Sequence, residues 1–203
     1  MARGDCDALS AVPALGTAFF DREVTVVARD LLGMLLGVEE TGGVIVETEA
    51  YDGDDPASHS FRGRTARNGS MFRGPGHAYV YRSYGIHWCF NVTCRAGSAV
   101  LVRALDPVDG VALMRERRGS FGDRGLCSGP GRLCQALGIT GELDGVRLDG
   151  VPFGLERRMV PERIAVGPRI GISKGVETAW RFCVPGAVSL SRAAGAVLEP
   201  RGG

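Results

Sequence analysis

The sequence predicts a single α+β domain, a curved antiparallel β-sheet core with peripheral helices. Three observations carry that expectation. From Val44 to Tyr51 the chain alternates with period two, so that Val46, Thr48 and Ala50 face one way and Glu47, Glu49 and Tyr51 the other. From His77 to Ala104, three short apolar and aromatic runs are separated by the turn formers Ser83-Tyr84-Gly85 and Arg95-Ala96-Gly97-Ser98, the pattern of an antiparallel meander. Helical spacing is confined to flanking segments, and no linker divides the 203 residues, a length that suits one core.

Taken in order, residues 1–17, with their Ala, Gly and Pro13, are expected to be poorly ordered, as is the tail 193–203, which leaves 18–192 as the single catalytic-type domain. Asp21 is the expected N-cap of a helix in which Val24, Val27, Ala28, Leu31, Leu32 and Leu35 recur at three- and four-residue steps. Thr41-Gly42-Gly43 reads as the turn into the strand that ends at Tyr51. A long loop of turn formers and charges follows, Asp52 to Asn68, of a length usually kept for function or left disordered. After the meander, Pro107 is expected to open a helix to about Arg117, and Ser128-Gly129-Pro130 to start another that Gly138 ends. Leu143-Asp144-Gly145-Val146 and Leu148-Asp149-Gly150-Val151 read as two tight turns, and the last strands are expected at Arg163–Ile172 and Trp180–Val184 around a turn holding Lys174.

The formal net charge is only +1, so an argument for an anionic partner rests on where charges lie. They are segregated. Asp30 to Phe61 holds eight carboxylates and no Lys or Arg, whereas between Pro56 and Leu105 there is no Asp or Glu, and Arg62, Arg64, Arg67, Arg73, Arg82, Arg95 and Arg103 gather there with all three histidines. Lys174 is the sole lysine, so nearly every cation is a guanidinium, the group that binds phosphate bidentately. The six cysteines form no CxxC pair and no zinc-ligand spacing, which argues against a metal and for a reducing, cytoplasmic setting. Asp5 and Asp7 precede any apolar run, so the start does not read as a secretory signal, and no stretch approaches the ~20 apolar residues that span a bilayer.

For chemistry, Glu49 shares its strand face with Glu47 and Tyr51, and Arg103 is a natural ion-pair partner. Tyr84 lies in Ser-Tyr-Gly between two strands, where a turn presents it, and an exposed aromatic beside arginines fits a wedge for insertion between bases. Gly74-Pro75-Gly76 and Gly129-Pro130-Gly131 lack the third glycine and preceding strand of a phosphate loop, and no GxSxG elbow occurs.

The strings IVETEAY, HSFRGRTARNGSMF, YVYRSYGIHWCFNV, VLVRALDP and LCSGPGRLCQALGI, in this order and spacing, closely resemble the alkyladenine (3-methyladenine) DNA glycosylase family over about Phe19 to Val184. The resemblance implies neither cofactor nor metal. Because lyase chemistry needs an amine and the resemblance does not place Lys174, the sole lysine, at the reacting centre, a monofunctional enzyme without lyase activity is expected. It would flip alkylated or deaminated purines out of double-stranded DNA and hydrolyse the N-glycosidic bond with a Glu-activated water. By resemblance Glu49 is the catalytic carboxylate, Arg103 helps hold the water, and the backbone carbonyl of Ile170 is its third support. Tyr51, His59 and Tyr81 match the residues that sandwich and hydrogen-bond the flipped base, and Asn91 the residue that rejects the 2-amino group of guanine. Tyr84 matches the side chain that fills the gap in the duplex, with Ile86 and His87 at neighbouring DNA-contacting positions and Arg64 and Arg67 on the basic loop. A monomer that acts on DNA at the nucleoid is expected. The rival readings are a catalytically silent binder of damaged or bent DNA and an RNA- or nucleotide-directed hydrolase.

Overall fold

A computed structural model describes residues 15–119, 122–195 and 197–201; the expectation for residues 1–14 lies outside them. The strands are β1 (Met34–Val38), β2 (Thr41–Tyr51), β3 (Ala78–Ser83), β4 (His87–Thr93), β5 (Ala99–Asp109), β6 (Phe153–Arg157), β7 (Arg163–Gly167), β8 (Arg181–Cys183) and β9 (Val197–Pro200). The helices are α1 (Thr17–Phe20), α2 (Val24–Leu31), α3 (Val111–Arg118), α4 (Asp123–Leu126) and α5 (Pro130–Leu137), with 3-10 turns at Gly69–Phe72 and Gly141–Leu143. The strands form one antiparallel sheet in the order β3-β4-β5-β2-β8-β7-β9, with β1 pairing both β2 and β6.

β2 is the spine. One edge pairs with β5 throughout, whereas the other is shared, β1 taking Thr41 to Val44 and β8 taking Glu47 to Glu49. The two partners diverge from the same strand, which curves the sheet. Where they part, the β2–β5 register shifts twice: Ile45 pairs with Leu105, Glu47 with Ala104 and Thr48 with Val102, leaving Val46 on one strand and Arg103 on the other without an opposite. Such bulges bend a strand and re-aim its side chains.

The core lies on the face that carries Val46, Ala50, Ala78, Val80, Phe90, Val92, Val100 and Val102, all buried. Against it α2 lays Val24, Val27, Ala28 and Leu31, and Thr48 donates its hydroxyl to the Ala28 carbonyl at 2.9 Å. α5 contributes Leu133, Cys134, Ala136 and Leu137, with Pro130 at its start and Gly138 closing it in the left-handed region, as the sequence predicts.

Several elements differ from expectation. Glu23, not Asp21, caps α2, accepting from the Thr25 and Val26 amides at 3.2 and 3.1 Å, because it stands immediately before the first helical residue; Asp21 faces Arg95 instead. Leu35 belongs to β1, since the chain leaves the helix at Leu32 and the Gly33 amide already bonds Ile45. The β1–β2 turn is Glu39-Glu40, and Thr41-Gly42-Gly43 lies inside β2. Pro107 does not open α3. Beyond Leu101 the β4 side of β5 is no longer paired with β4, so a residue without an N–H is tolerated there and β5 runs on to Asp109. Gly110 then turns at φ +64°, where a Cβ would sit 2.2 Å from the Glu40 carbonyl oxygen, and α3 begins at Val111. β6 was not anticipated, and the tail expected to be poorly ordered supplies β9, whose register runs from Val166↔Val197 to Arg163↔Pro200 on the edge of β7.

Candidate active site

On the near side of the bulges, the odd-numbered residues Glu47, Glu49 and Tyr51 of β2, Tyr79 and Tyr81 of β3, Cys89 and Asn91 of β4 and Ala99, Leu101 and Arg103 of β5 emerge on the face opposite the core, whereas beyond the bulges Ile45 and Leu105 turn into it. Register sets Tyr79 opposite Asn91, Tyr81 opposite Cys89, Asn91 opposite Leu101, Glu49 opposite Leu101 and Tyr51 opposite Ala99. One alternation rule therefore builds a wall from four strands, and a one-residue slip would turn every member into the core. Above this wall, the loops 56–68 and 170–174 enclose a cavity of about 800 Å³, lined among others by Tyr51, His59, Tyr81, Asn91, Arg103 and Ile170. That volume lies in the range of cavities that take small-molecule ligands.

At one end, Glu49 is fully buried. Its Oε2 accepts from the Tyr51 hydroxyl at 2.9 Å and from Arg103 Nη1 at 3.1 Å, and its Oε1 from the Ile170 amide at 2.7 Å. These three partners line the cavity, while Glu49 stands behind them. The sequence-based expectation for Ile170 was its carbonyl; the contact made to Glu49 is through its N–H. Burial, then the neighbouring Glu49 charge, pushes the Tyr51 hydroxyl far above its ordinary pKa, so it remains a donor. Burial alone would depress the Arg103 guanidinium, but Glu49 and Glu47 outweigh it and the net shift is upward.

Behind Arg103 lies a second carboxylate. Glu47, also fully buried, accepts from Arg181 Nε and the Ser191 hydroxyl at 2.7 Å each, from the Ser191 amide at 2.7 Å and from Arg103 Nε at 3.3 Å. Arg181 goes on to the Ala193 and Arg192 carbonyls at 3.1 and 2.9 Å. Arg103 thus bridges two carboxylates, held where the bulge re-aims it.

The opposite wall is aromatic. Tyr79 and Tyr81 stack at 5.4 Å between centroids, His59 meets Tyr81 edge-on at 4.4 Å, and His59 Nδ1 lies 2.8 Å from the Tyr79 hydroxyl. Burial, then the Arg67 charge, lowers the His59 pKa below its ordinary value. Asn91 is buried and donates to the Tyr79 carbonyl at 3.0 Å. Asn68 pins the His59 loop by donating to the His59 and Gly63 carbonyls at 2.9 and 3.1 Å while accepting from the Thr65 amide and hydroxyl.

At the mouth, the β3–β4 turn presents Tyr84, 88% exposed and at φ +49°, a conformation a bulky residue seldom adopts. Ile86 is 77% exposed beside it. His87 is half-buried and packs on the start of α5, where a Cβ on Gly131 would fall 2.6 Å from its Cγ. Arg67 is exposed and lines the cavity; Arg64 is exposed on the same loop but is not part of the lining.

Sequence reasoning missed Glu47 with Ser191 and Arg181, the pinning role of Asn68, and Lys174, which is exposed yet lines the cavity. Alternation sets Glu47 on Glu49's face but gives it no partners, and nothing local marks Ser191. Among the described residues no group of three or more His, Cys, Asp or Glu side chains is arranged to hold a metal, the five cysteines are buried and unpaired, and no helix is long and apolar enough to cross a membrane.

The profile of the methylpurine-DNA glycosylase family, MPG, matches residues 18–188. Proteins named "Putative 3-methyladenine DNA glycosylase" align over most of the chain. One from Granulibacter bethesdensis is 58% identical over 186 residues, 88% of this chain and 88% of its own. One from Rhodopseudomonas palustris strain BisB18 is 56% identical, covering 91% and 94%, and one from Agrobacterium fabrum 52%, covering 89% and 93%.

Proposed function

The chain belongs to the methylpurine-DNA glycosylase family and is a DNA glycosylase of alkylated-purine repair; from that premise we propose that it flips an alkylated or deaminated purine out of double-stranded DNA and hydrolyses its N-glycosidic bond with a water activated by Glu49. The observation that carries this reading is the Glu49 constellation. A carboxylate has about four lone-pair sites. Three accept from Tyr51, Arg103 and Ile170, which fixes the group, and one site on Oε1 is left to take a water proton. As that water attacks C1′ of the sugar, the same carboxylate balances the positive charge that develops there as the base departs.

Binding follows from the rest of the cavity. An extruded purine would stack between Tyr51 on one side and His59 and Tyr81 on the other. A base alkylated at N3 or N7 is cationic, and desolvated cation–π attraction is worth ~2 kcal/mol, so capture itself discriminates damage. If the Tyr79 hydroxyl donates to Nδ1, neutral His59 would keep its proton on Nε2 and offer it to the base. Asn91 on the floor would exclude the 2-amino group of guanine. Tyr84, held in a strained conformation with little around it, would occupy the gap left in the duplex, flanked by Ile86 and His87, while Arg64 and Arg67 approach phosphates.

Lyase chemistry needs an amine nucleophile. Lys174 is exposed at the rim, whereas the buried network converges on Glu49, so simple hydrolysis to an abasic site is expected. The test is release of free base from methylated duplex DNA. Glu49→Gln should lose about 10²–10⁴-fold in single-turnover rate while still binding damaged duplex, and borohydride should trap no covalent adduct with wild type. Equal release by both proteins would remove Glu49 from its role; binding by wild type without release would make the protein a silent reader of damage.

A further inference from the structure

Beneath the base pocket lies a buried charge that the reaction does not use. Arg169 has no exposed side-chain surface and is absent from the cavity lining, yet its guanidinium carbon sits 4.7 Å from the centroid of the Tyr51 ring and 5.4 Å from that of Trp180. Tyr51 lines the cavity, so the cation stands on the ring's far face. Asp55, nearly as buried, pairs with both terminal nitrogens, the Nη2–Oδ1 bond being 3.0 Å. The Ala50 and Gly175 carbonyls accept at 2.9 and 3.3 Å, and Nε, buried, has no hydrogen-bond partner, only the aromatic faces beside it.

We propose that the Arg169–Asp55 pair sets the balance between cationic and neutral bases, by fixing how much positive charge stands behind the Tyr51 ring. The inference rests on the reading that Tyr51 stacks on the flipped base. A cation on one face of an aromatic ring draws π density toward itself and weakens the attraction the other face offers to a second cation. At a separation of roughly 8 Å, like charges still repel appreciably in a site of intermediate dielectric. Asp55 offsets most of that field. What remains is an ion-pair dipole with its positive end at the ring, which tempers the preference for cationic bases and leaves room for neutral ones. Arg169 is in this sense a specificity residue that never touches the substrate.

Single-turnover excision of 7-methylguanine, a cation, and of hypoxanthine, neutral, reads the balance; competitive duplex binding replaces the rate for any lesion released too slowly. Asp55→Asn keeps an oxygen for the Arg169 and Ala57 donors but removes the offsetting charge, and should lower the cationic-to-neutral ratio about three- to tenfold. Arg169→Met combined with Asp55→Asn removes the dipole and should raise the ratio above wild type by about twofold. Arg169→Lys, which retains the cation, should stay near wild type. If Asp55→Asn does not fold, the double variant, which buries no charge, still decides the sign. Proportional loss on both lesions, with an unchanged ratio in the variants, would reduce the pair to a structural prop and overturn the proposal. Failure of the glycosylase reading looks different, because wild type would then release neither base.

Discussion

At one end of the cavity, Glu47, Glu49, Arg103, Arg181 and Ser191 interlock, each carboxylate accepting at least three bonds and neither exposed to solvent. At the other end, Tyr84 and Ile86 stand out from the β3–β4 turn, 88% and 77% exposed, Tyr84 on a backbone that favours glycine or asparagine. Both regions grow from the same sheet, yet they place side chains by opposite means. The buried end is over-determined, so position is precise and any loss is felt by the fold. The turn is under-determined, so its side chains are free to meet something outside the molecule, and a strained, exposed aromatic has no folding reason to be there.

The largest expected difference between the regions is in stability. Glu47→Ala would leave Arg103 and Arg181 buried with Glu49 as the only remaining carboxylate of the layer, a change of the kind that costs about 3–5 kcal/mol, or roughly a 10 °C fall in Tm for a chain of this size. Glu47→Gln, which can still accept from Arg181 and Ser191, should fall less but lower the rate of base release, because Arg103 Nε loses its charged anchor. Thermal unfolding and single-turnover rates below the transition separate the two effects. A Glu47→Ala protein as stable as wild type would break the contrast at its buried end.

The contrast also explains what the sequence discloses. The wall of the cavity was legible because it follows from period-two alternation in β2, and because turn residues mark the ends of β3, β4 and β5. Tyr84 was legible as a turn residue flanked by strands. The second layer was not. Ser191 lies 144 residues from Glu47 and sits in no periodic pattern, and the Asp55–Arg169 pair spans 114 residues between two loops. The paired bulges at Val46 and Arg103 depend on which strands share an edge, which no local window contains. β6 and β9 lack a run of β-branched or aromatic residues that would mark them locally, and each pairs on an edge that a distant strand offers it. The same limit misplaced the start of α3: Pro107 is a valid helix opener locally, and only its place at the unpaired side of β5 overrides that preference.

At the turn, Tyr84→Ser should leave stability within about 0.5 kcal/mol of wild type, as expected for an exposed side chain with few contacts. On the proposed reading binding to damaged duplex should weaken about tenfold, since extrusion costs a few kcal/mol and a wedge at this position would offset part of it. Tyr84→Gly would relieve the left-handed strain and should be slightly more stable than wild type, while binding no better than the Ser variant. Chemical denaturation paired with lesion-duplex affinity reads both quantities. If Tyr84→Ser bound as well as wild type, the exposed end would lose its function and the contrast would reduce to core against surface.

Between the two regions lies His59, open to the cavity but pinned by Asn68 and Tyr79, and there the smallest effect is expected. Burial, then Arg67, lowers its pKa below the ordinary ~6.5. An unfolded chain therefore takes up this proton near pH 6.5 while the folded one does not, so the His59 contribution to stability is full above that pH and declines as pH falls toward the folded value. Exposure of the residue screens the stability effect, but the functional effect acts inside the cavity. Protonated His59 adds a cation next to the site proposed for a cationic base, so excision of 7-methylguanine should fall more steeply than excision of hypoxanthine as pH drops below the ordinary histidine value toward the lowered one of the folded protein. A pH effect on the hydrolytic step itself would slow both lesions together, which is why the ratio isolates His59. His59→Gln should flatten the ratio across that range; a ratio that still fell in this variant would assign the titration to another group of the cavity.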